Sequence, residues 1–216
     1  MKSKVNFLII FLLAALSISA QTIDNTSWLS IKLQQNYHNG LSLALVPIVR
    51  LNENVSNYDN SSIDLVVQQK FKKGWSGRFV HRTWFIPEGT GRYFFWLDAI
   101  YGKKFEKIGL SSFVRYHHAV NTKERNDSDF IRWKTTLSLI NVGKISPFFA
   151  FEPWYQFDGF DQIRRLRFEP GIKWKFNPNL VLTAMYRREV SQNREDPRNF
   201  NMYVVNLAYI FAKKKE

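Results

Sequence analysis

From Trp28 to Phe211 one pattern repeats: a run of about ten to twelve residues in which apolar and polar side chains alternate, a break, then another run. Successive side chains of an extended chain point to opposite faces, so period two is strand geometry. The pattern predicts strands near 28–37, 41–51, 62–71, 75–86, 92–101, 107–118, 129–140, 145–157, 162–176, 180–190 and 200–211. No stretch carries a helical period. Residues 145–176 show the alternation most clearly. One face reads Phe149, Phe151, Pro153, Tyr155, Phe157, then Leu166, Phe168, Pro170, Ile172, Trp174. The other reads Ala150, Glu152, Trp154, Gln156, then Arg165, Arg167, Glu169, Gly171, Lys173, Lys175.

The breaks alternate in kind. Short ones, such as His38-Asn39-Gly40, Lys72-Lys73-Gly74 and Asn177-Pro178-Asn179, carry residues that tolerate positive φ or preset it. The others, such as Asn52–Ser61, Ala119–Ser128 and Ser191–Asn199, are mostly longer and polar. Short turns on one rim and long loops on the other is the layout of a membrane-spanning antiparallel β-barrel. The faces agree: an aromatic and aliphatic face opposed to a charged one inverts the needs of a water-soluble barrel. Aromatics also gather beside the short turns, as with Phe71 and Trp75, Trp174 and Phe176, and Tyr209 and Phe211, which predicts an interfacial girdle. A soluble secreted β-sandwich that binds a ligand also alternates, but it requires neither a girdle nor alternating turn lengths.

Bacterial barrels have even strand numbers with both ends on the short-turn side. The runs from Leu41 to Phe211 satisfy this as about ten strands, with twelve the next expectation. Trp28–Tyr37 is then the odd run, a plugging segment or an added strand. Pro153 and Pro170 lack a ladder donor and face outward, so a local bulge or kink is expected across their two strands.

Hairpin register carries the polar face further. Facing residues of an antiparallel hairpin share a constant index sum. The turn at 177–179 pairs Glu169 with Arg187 and Arg167 with Glu189. The loop at 158–161 sets Glu152 beside Glu169, and the turn at 141–144 sets Glu152 beside Arg132 or Lys134. Arg115 falls beside Arg132, and Asp64 opposite Arg82. A charge belt through Arg115, Arg132, Glu152, Glu169 and Arg187 is therefore expected inside, filling the lumen with salt bridges. Adjacent glutamates can share a proton and act as acid and base. Here each has basic neighbours, so a structural role is expected.

Composition narrows the classes. The chain has 216 residues, no cysteine, 16% aromatics and a net charge of +13. Thiolate metal sites, a cysteine nucleophile and disulfides are excluded. Residues 1–20 read as a cleaved signal peptide: Lys2 and Lys4, an apolar run from Phe7 to Leu16, and Ala20 before the cut. The mature domain is expected over 21–216 as a single barrel, bound for the outer membrane. The cations are spread over many strands, so no nucleic-acid partner is expected. Outer-membrane lipid and, during biogenesis, the barrel assembly machinery are the expected partners of a monomer.

Catalytic patterns are weak. His117-His118 is the one histidine pair, and adjacent strand residues face opposite ways, so no metal site is expected. No histidine has serine two places on, and no phosphate or calcium loop appears. Asp127, Asp129 and His117 could meet at the outer rim, the basis for the alternative of a barrel enzyme acting on lipid or peptide. No cofactor is expected. The role expected is structural, adhesive or small-solute, without catalysis. The export signal ending Ser-Ile-Ser-Ala-Gln, the early Trp28 strand, and the strands Val80-His81-Arg82-Thr83-Trp84 and Phe113-Val114-Arg115-Tyr116 resemble a family of small outer-membrane β-barrel proteins of the domain-of-unknown-function kind. That resemblance implies a barrel and no catalytic residues. The last strand is similar to the assembly signal of such barrels, departing from it in the tail Ala212–Glu216.

Overall fold

The computed structural model describes residues 23–52, 55–86, 89–121, 128–140, 143–157, 161–193 and 199–211. The signal-peptide segment, Asp127 and the tail after Phe211 lie outside them. Eleven strands form a closed barrel: β1 (Ile23–Asn36), β2 (Leu41–Asn52), β3 (Asn57–Lys70), β4 (Trp75–Ile86), β5 (Gly89–Lys104), β6 (Ile108–Asn121), β7 (Ser128–Leu139), β8 (Ile145–Gln156), β9 (Gln162–Lys175), β10 (Leu180–Ser191) and β11 (Asn199–Phe211). The single helical element among the described residues is a 3₁₀ turn at Lys72–Gly74.

The all-β barrel is as the alternation predicts, but the count of ten is corrected to eleven. Sequence neighbours pair antiparallel throughout, and β1 closes the ring by pairing parallel with β11 from Ile23↔Asn199 to Gln35↔Phe211. In a meander with an odd number of strands, the first and last run the same way and can meet only in parallel. The described chain therefore enters at the long-loop rim and leaves at the short-turn rim, not with both ends on one side. β1 joins because it alternates like the rest: Leu29, Ile31 and Leu33 are exposed on the outer surface, and Asn206 Nδ2 reaches Ser30 Oγ at 2.8 Å across the seam.

The prolines leave a readable mark. Pairing is continuous along most of the ladder but skips two residue pairs at each of three places. These lie opposite Pro47 between β1 and β2, opposite Pro153 between β7 and β8, and opposite Pro170 between β9 and β10. A proline has no N–H to give to that side. The expected bulge is present one residue after Pro153, where the β8–β9 register shifts between Trp154 and Tyr155, whereas Pro170 keeps regular register on its β8 side.

Glycine takes most of the positive-φ positions in the short turns, at Gly40, Gly74 and Gly143, and Lys73 takes another. Gly74 has φ +85°, and a Cβ there would stand 2.2 Å from the Gly102 carbonyl oxygen. Gly143 has φ +70° with nothing within 4 Å of its Cβ position. Gly143→Ala is expected to lower stability by about 1 kcal/mol, the left-handed penalty alone. Gly74→Ala is expected to lose more than that in the same denaturant titration, because backbone must move. Equal losses would refute the close-approach account.

Candidate functional site

Every strand turns its apolar side outward. Leu65, Leu97, Val114, Trp133 and Leu137 are each more than half exposed at mid-height. Aromatics mark both rims: Phe71, Trp75 and Phe105 by the short turns, and Tyr58, Tyr116 and Tyr155 by the long loops. The largest fully buried side chains are instead Glu152, Glu169, Glu189 and Asn60. The core of this molecule is polar and its skin is apolar.

The inward charges form a belt across the middle of the lumen. Arg82 donates from Nε and Nη2 to the two oxygens of Asp64 at 2.6 and 2.9 Å. Asp98 accepts from Arg115 Nε at 2.6 Å and from Arg78 at 2.5 Å. Arg132 Nη2 meets Glu152 Oε1 at 2.6 Å, and Arg167 bridges Glu152 (3.6 Å) and Glu189 (2.6 Å). Glu169 holds Arg187 at 2.5 Å and also Lys134. Arg165 reaches Glu189 at 3.2 Å. Pairing supplies the attraction needed to keep such groups out of water.

The register places Glu169 level with Arg187 and Arg167 opposite Glu189, with Arg115↔Arg132 and Asp64↔Arg82 as direct partners. One expected neighbour changes. Glu152 lies opposite Arg167, not beside Glu169. The limits of the 158–161 loop already give this pairing, and a sum two higher would be needed to set Glu152 beside Glu169. Each glutamate is held by cations, Glu152 by Arg132 and Arg167, and Glu169 by Lys134 and Arg187.

Above the belt, toward the long loops, the lumen is not filled. A cavity of about 710 Å³ lies there. On each of β4 to β8 one belt charge has an aromatic ring or an imidazole two places toward the loops. Trp84 follows Arg82 in this way, Trp96 precedes Asp98, His117 follows Arg115, Phe130 precedes Arg132, and Trp154 follows Glu152. Side chains two apart on a strand share a face, so each of these five strands contributes a charge below and a ring above. Guanidinium groups lie on these rings. Arg132 sits 3.7 Å and Arg167 4.1 Å from the Trp154 ring centre, Arg115 4.3 Å from Trp96, and Arg50 4.3 Å from Trp28. Arginine over an indole face is attracted by the ring quadrupole.

His117 stands among four rings, Phe94, Trp96, Phe130 and Trp154, with centroids 5.4 to 5.7 Å away. Neither of its ring nitrogens has a hydrogen-bond partner among the described residues, nor has Nε1 of Trp28, Trp84, Trp96 or Trp154. An unmet buried polar atom ordinarily costs about 1–3 kcal/mol. The rim cluster expected around His117 is built instead from His118, which faces outward. Its Nδ1 lies 2.7 Å from Asp129 Oδ1, and Tyr116 donates to the same oxygen at 2.9 Å. Among the described residues no three His, Asp or Glu gather as metal ligands.

No family model and no curated protein matches the chain. The site must therefore be read from its own chemistry. The inward tryptophans were the residues that strand reasoning undervalued. The signal was their phase: each shares the parity of the belt charges and so belongs to the polar face.

Proposed function

We propose that the chain is an exported, monomeric outer-membrane β-barrel that holds a small solute and performs no catalysis. The observation that carries the reading is the inversion of faces, with an apolar skin between two aromatic rims around an ion-paired interior. Strands of 12 to 16 residues support it. At about 3.3 Å per residue and a tilt near 40° they rise roughly 30 Å, enough for the apolar band of an outer membrane. No helix among the described residues is long and apolar enough to cross a membrane, so crossing would rest on the strands.

Lysines crowd the short-turn rim, with Lys72, Lys73, Lys103, Lys104, Lys107 and Lys144 at or beside the turns. Basic side chains just outside an aromatic girdle suit anionic phospholipid headgroups. Odd strand numbers occur among mitochondrial outer-membrane channels. The resemblance to small outer-membrane barrel proteins, cleavage of residues 1–20, and contact with lipid and the assembly machinery belong to the same proposal.

Fractionation tests it. The protein is expected in the outer-membrane fraction, resistant to a salt wash and extracted by detergent. Unheated samples should migrate differently from boiled ones on a denaturing gel. Release by salt alone would overturn the proposal. Planar bilayers should record little or no conductance, because the belt crosses the lumen.

A further inference from the structure

The cavity above the belt is more specific than a void. Eight arginines line it, against one carboxylate, Glu189, among the described residues. Below it the belt is itself unbalanced, since eight cations share five carboxylates. Two of the lining arginines stand outside the belt, at the mouth. Arg50 has Asp59 at 3.8 Å, and Arg92 makes no ion pair among the described residues and leans toward the Trp84 ring. Donors are in surplus as well. Nε of Arg50, Nη1 of Arg187 and the indole N–H groups of the wall find no acceptor among the described residues.

The backbone is adjusted at the same height. All three register shifts in the barrel fall at the long-loop end, after Arg50, Trp84 and Trp154, and all three of these residues line the cavity. Each shift inserts one residue in the facing strand, Asp59, Gly91 or Arg164, immediately before Asn60, Arg92 or Arg165. Bulges at barrel rims re-aim side chains, and here two of the three precede arginines of the wall.

We infer that this cavity binds a small organic anion: a flat apolar body carrying carboxylate or phosphate oxygens. The inference rests on the solute-holding role proposed above and names its ligand class. Arginine surplus and donor surplus select an acceptor-rich anion, since guanidinium forks match carboxylate and phosphate oxygens. Seven aromatic rings in the wall, four of them tryptophans, favour a flat body over a bare ion. The volume suits one such molecule, as small-ligand sites run roughly 300–1,000 Å³.

The test is calorimetric titration of the full chain, folded in detergent, with four probes: 2-naphthoate, 2-naphthyl phosphate, the neutral 2-naphthalenemethanol, and inorganic phosphate. Both aromatic anions are expected to bind at least about tenfold tighter than the neutral alcohol and than inorganic phosphate, and to weaken as salt rises. The double variant Arg50→Gln/Arg92→Gln is expected to lose about tenfold or more for the anions and nothing for the alcohol. Gel migration before and after heating reports whether that variant is folded. If it is not, Arg92→Gln alone, at an exposed mouth position, is expected to show the same selective loss. Alcohol and anions binding alike, inorganic phosphate matching naphthyl phosphate, variants binding like the parent, or no probe binding at millimolar concentration would each overturn the inference. Binding is read in detergent, so its failure in a barrel that fractionates with the outer membrane refutes the ligand class and leaves the location standing.

Discussion

Replacing Glu169 by glutamine is expected to destabilise the barrel by about 3–5 kcal/mol, the usual consequence of removing one partner from a buried ion pair. Glu169 is fully buried and accepts from both Lys134 and Arg187. Neither cation has another carboxylate within 4 Å among the described residues, so the variant leaves two charges uncompensated in the middle of the lumen. Glu152→Gln should cost less. It strands Arg132, but Arg167 keeps Glu189 at 2.6 Å. Glu189→Gln should cost least of the three, since Arg167 keeps Glu152 and the other partner, Arg165, has a side chain 29% exposed. Denaturant titration of the three variants in one detergent checks the order. Adding Lys134→Met to Glu169→Gln should recover part of the loss, because removing the orphaned charge removes its desolvation penalty. A Glu169 variant as stable as the parent would show that the belt contributes nothing to holding the fold.

The second large effect concerns the outer surface. Leu97 lies midway along β5 and is 58% exposed on that surface. In a bilayer, Leu97→Arg is expected to cost about 2–4 kcal/mol, the depth-dependent penalty for a cation at the lipid midplane. Phe71→Arg, at the short-turn rim, should cost only about 0–1 kcal/mol in charge burial, plus whatever the lost ring contributed. Measured by reversible unfolding from lipid vesicles, the gap between the two positions is the signature of a lipid-facing skin. In water the order of exposed substitutions would follow local packing and not depth. Similar costs at Leu97 and Phe71 would count against membrane insertion.

Much of the fold can be read along the chain because a strand's two faces are encoded by parity alone. Leu97 and Asp98 are neighbours in sequence and lie on opposite sides of the wall, and no tertiary information is needed to separate them. Turn chemistry at Gly40, Gly74 and Asn177–Asn179 then fixes hairpin sums closely enough to bring Glu169 level with Arg187. The limits of the 158–161 connection likewise pair Glu152 with Arg167, but they do not show the extra residue on β9, Arg164, that shifts the register beyond Trp154. The tryptophans were legible in the same parity, yet a ring on a polar face looks like an exception until its neighbours are known.

What the sequence determined by itself is therefore local and periodic: eleven alternating runs, their inner and outer faces, and the turns that join them. Phe151-Glu152-Pro153 and Phe168-Glu169-Pro170 each already carried an outward ring, an inward carboxylate and a proline. Closure was decided only in three dimensions. Nothing in Trp28–Tyr37 announces a parallel partner at the far end of the chain, because pairing across the seam depends on strand parity and barrel circumference, not on local propensity. The cavity has the same origin. Strands β4 to β8 each contribute a ring above a charge. Only the closed wall stacks the rings over the belt and leaves eight arginines facing a single space.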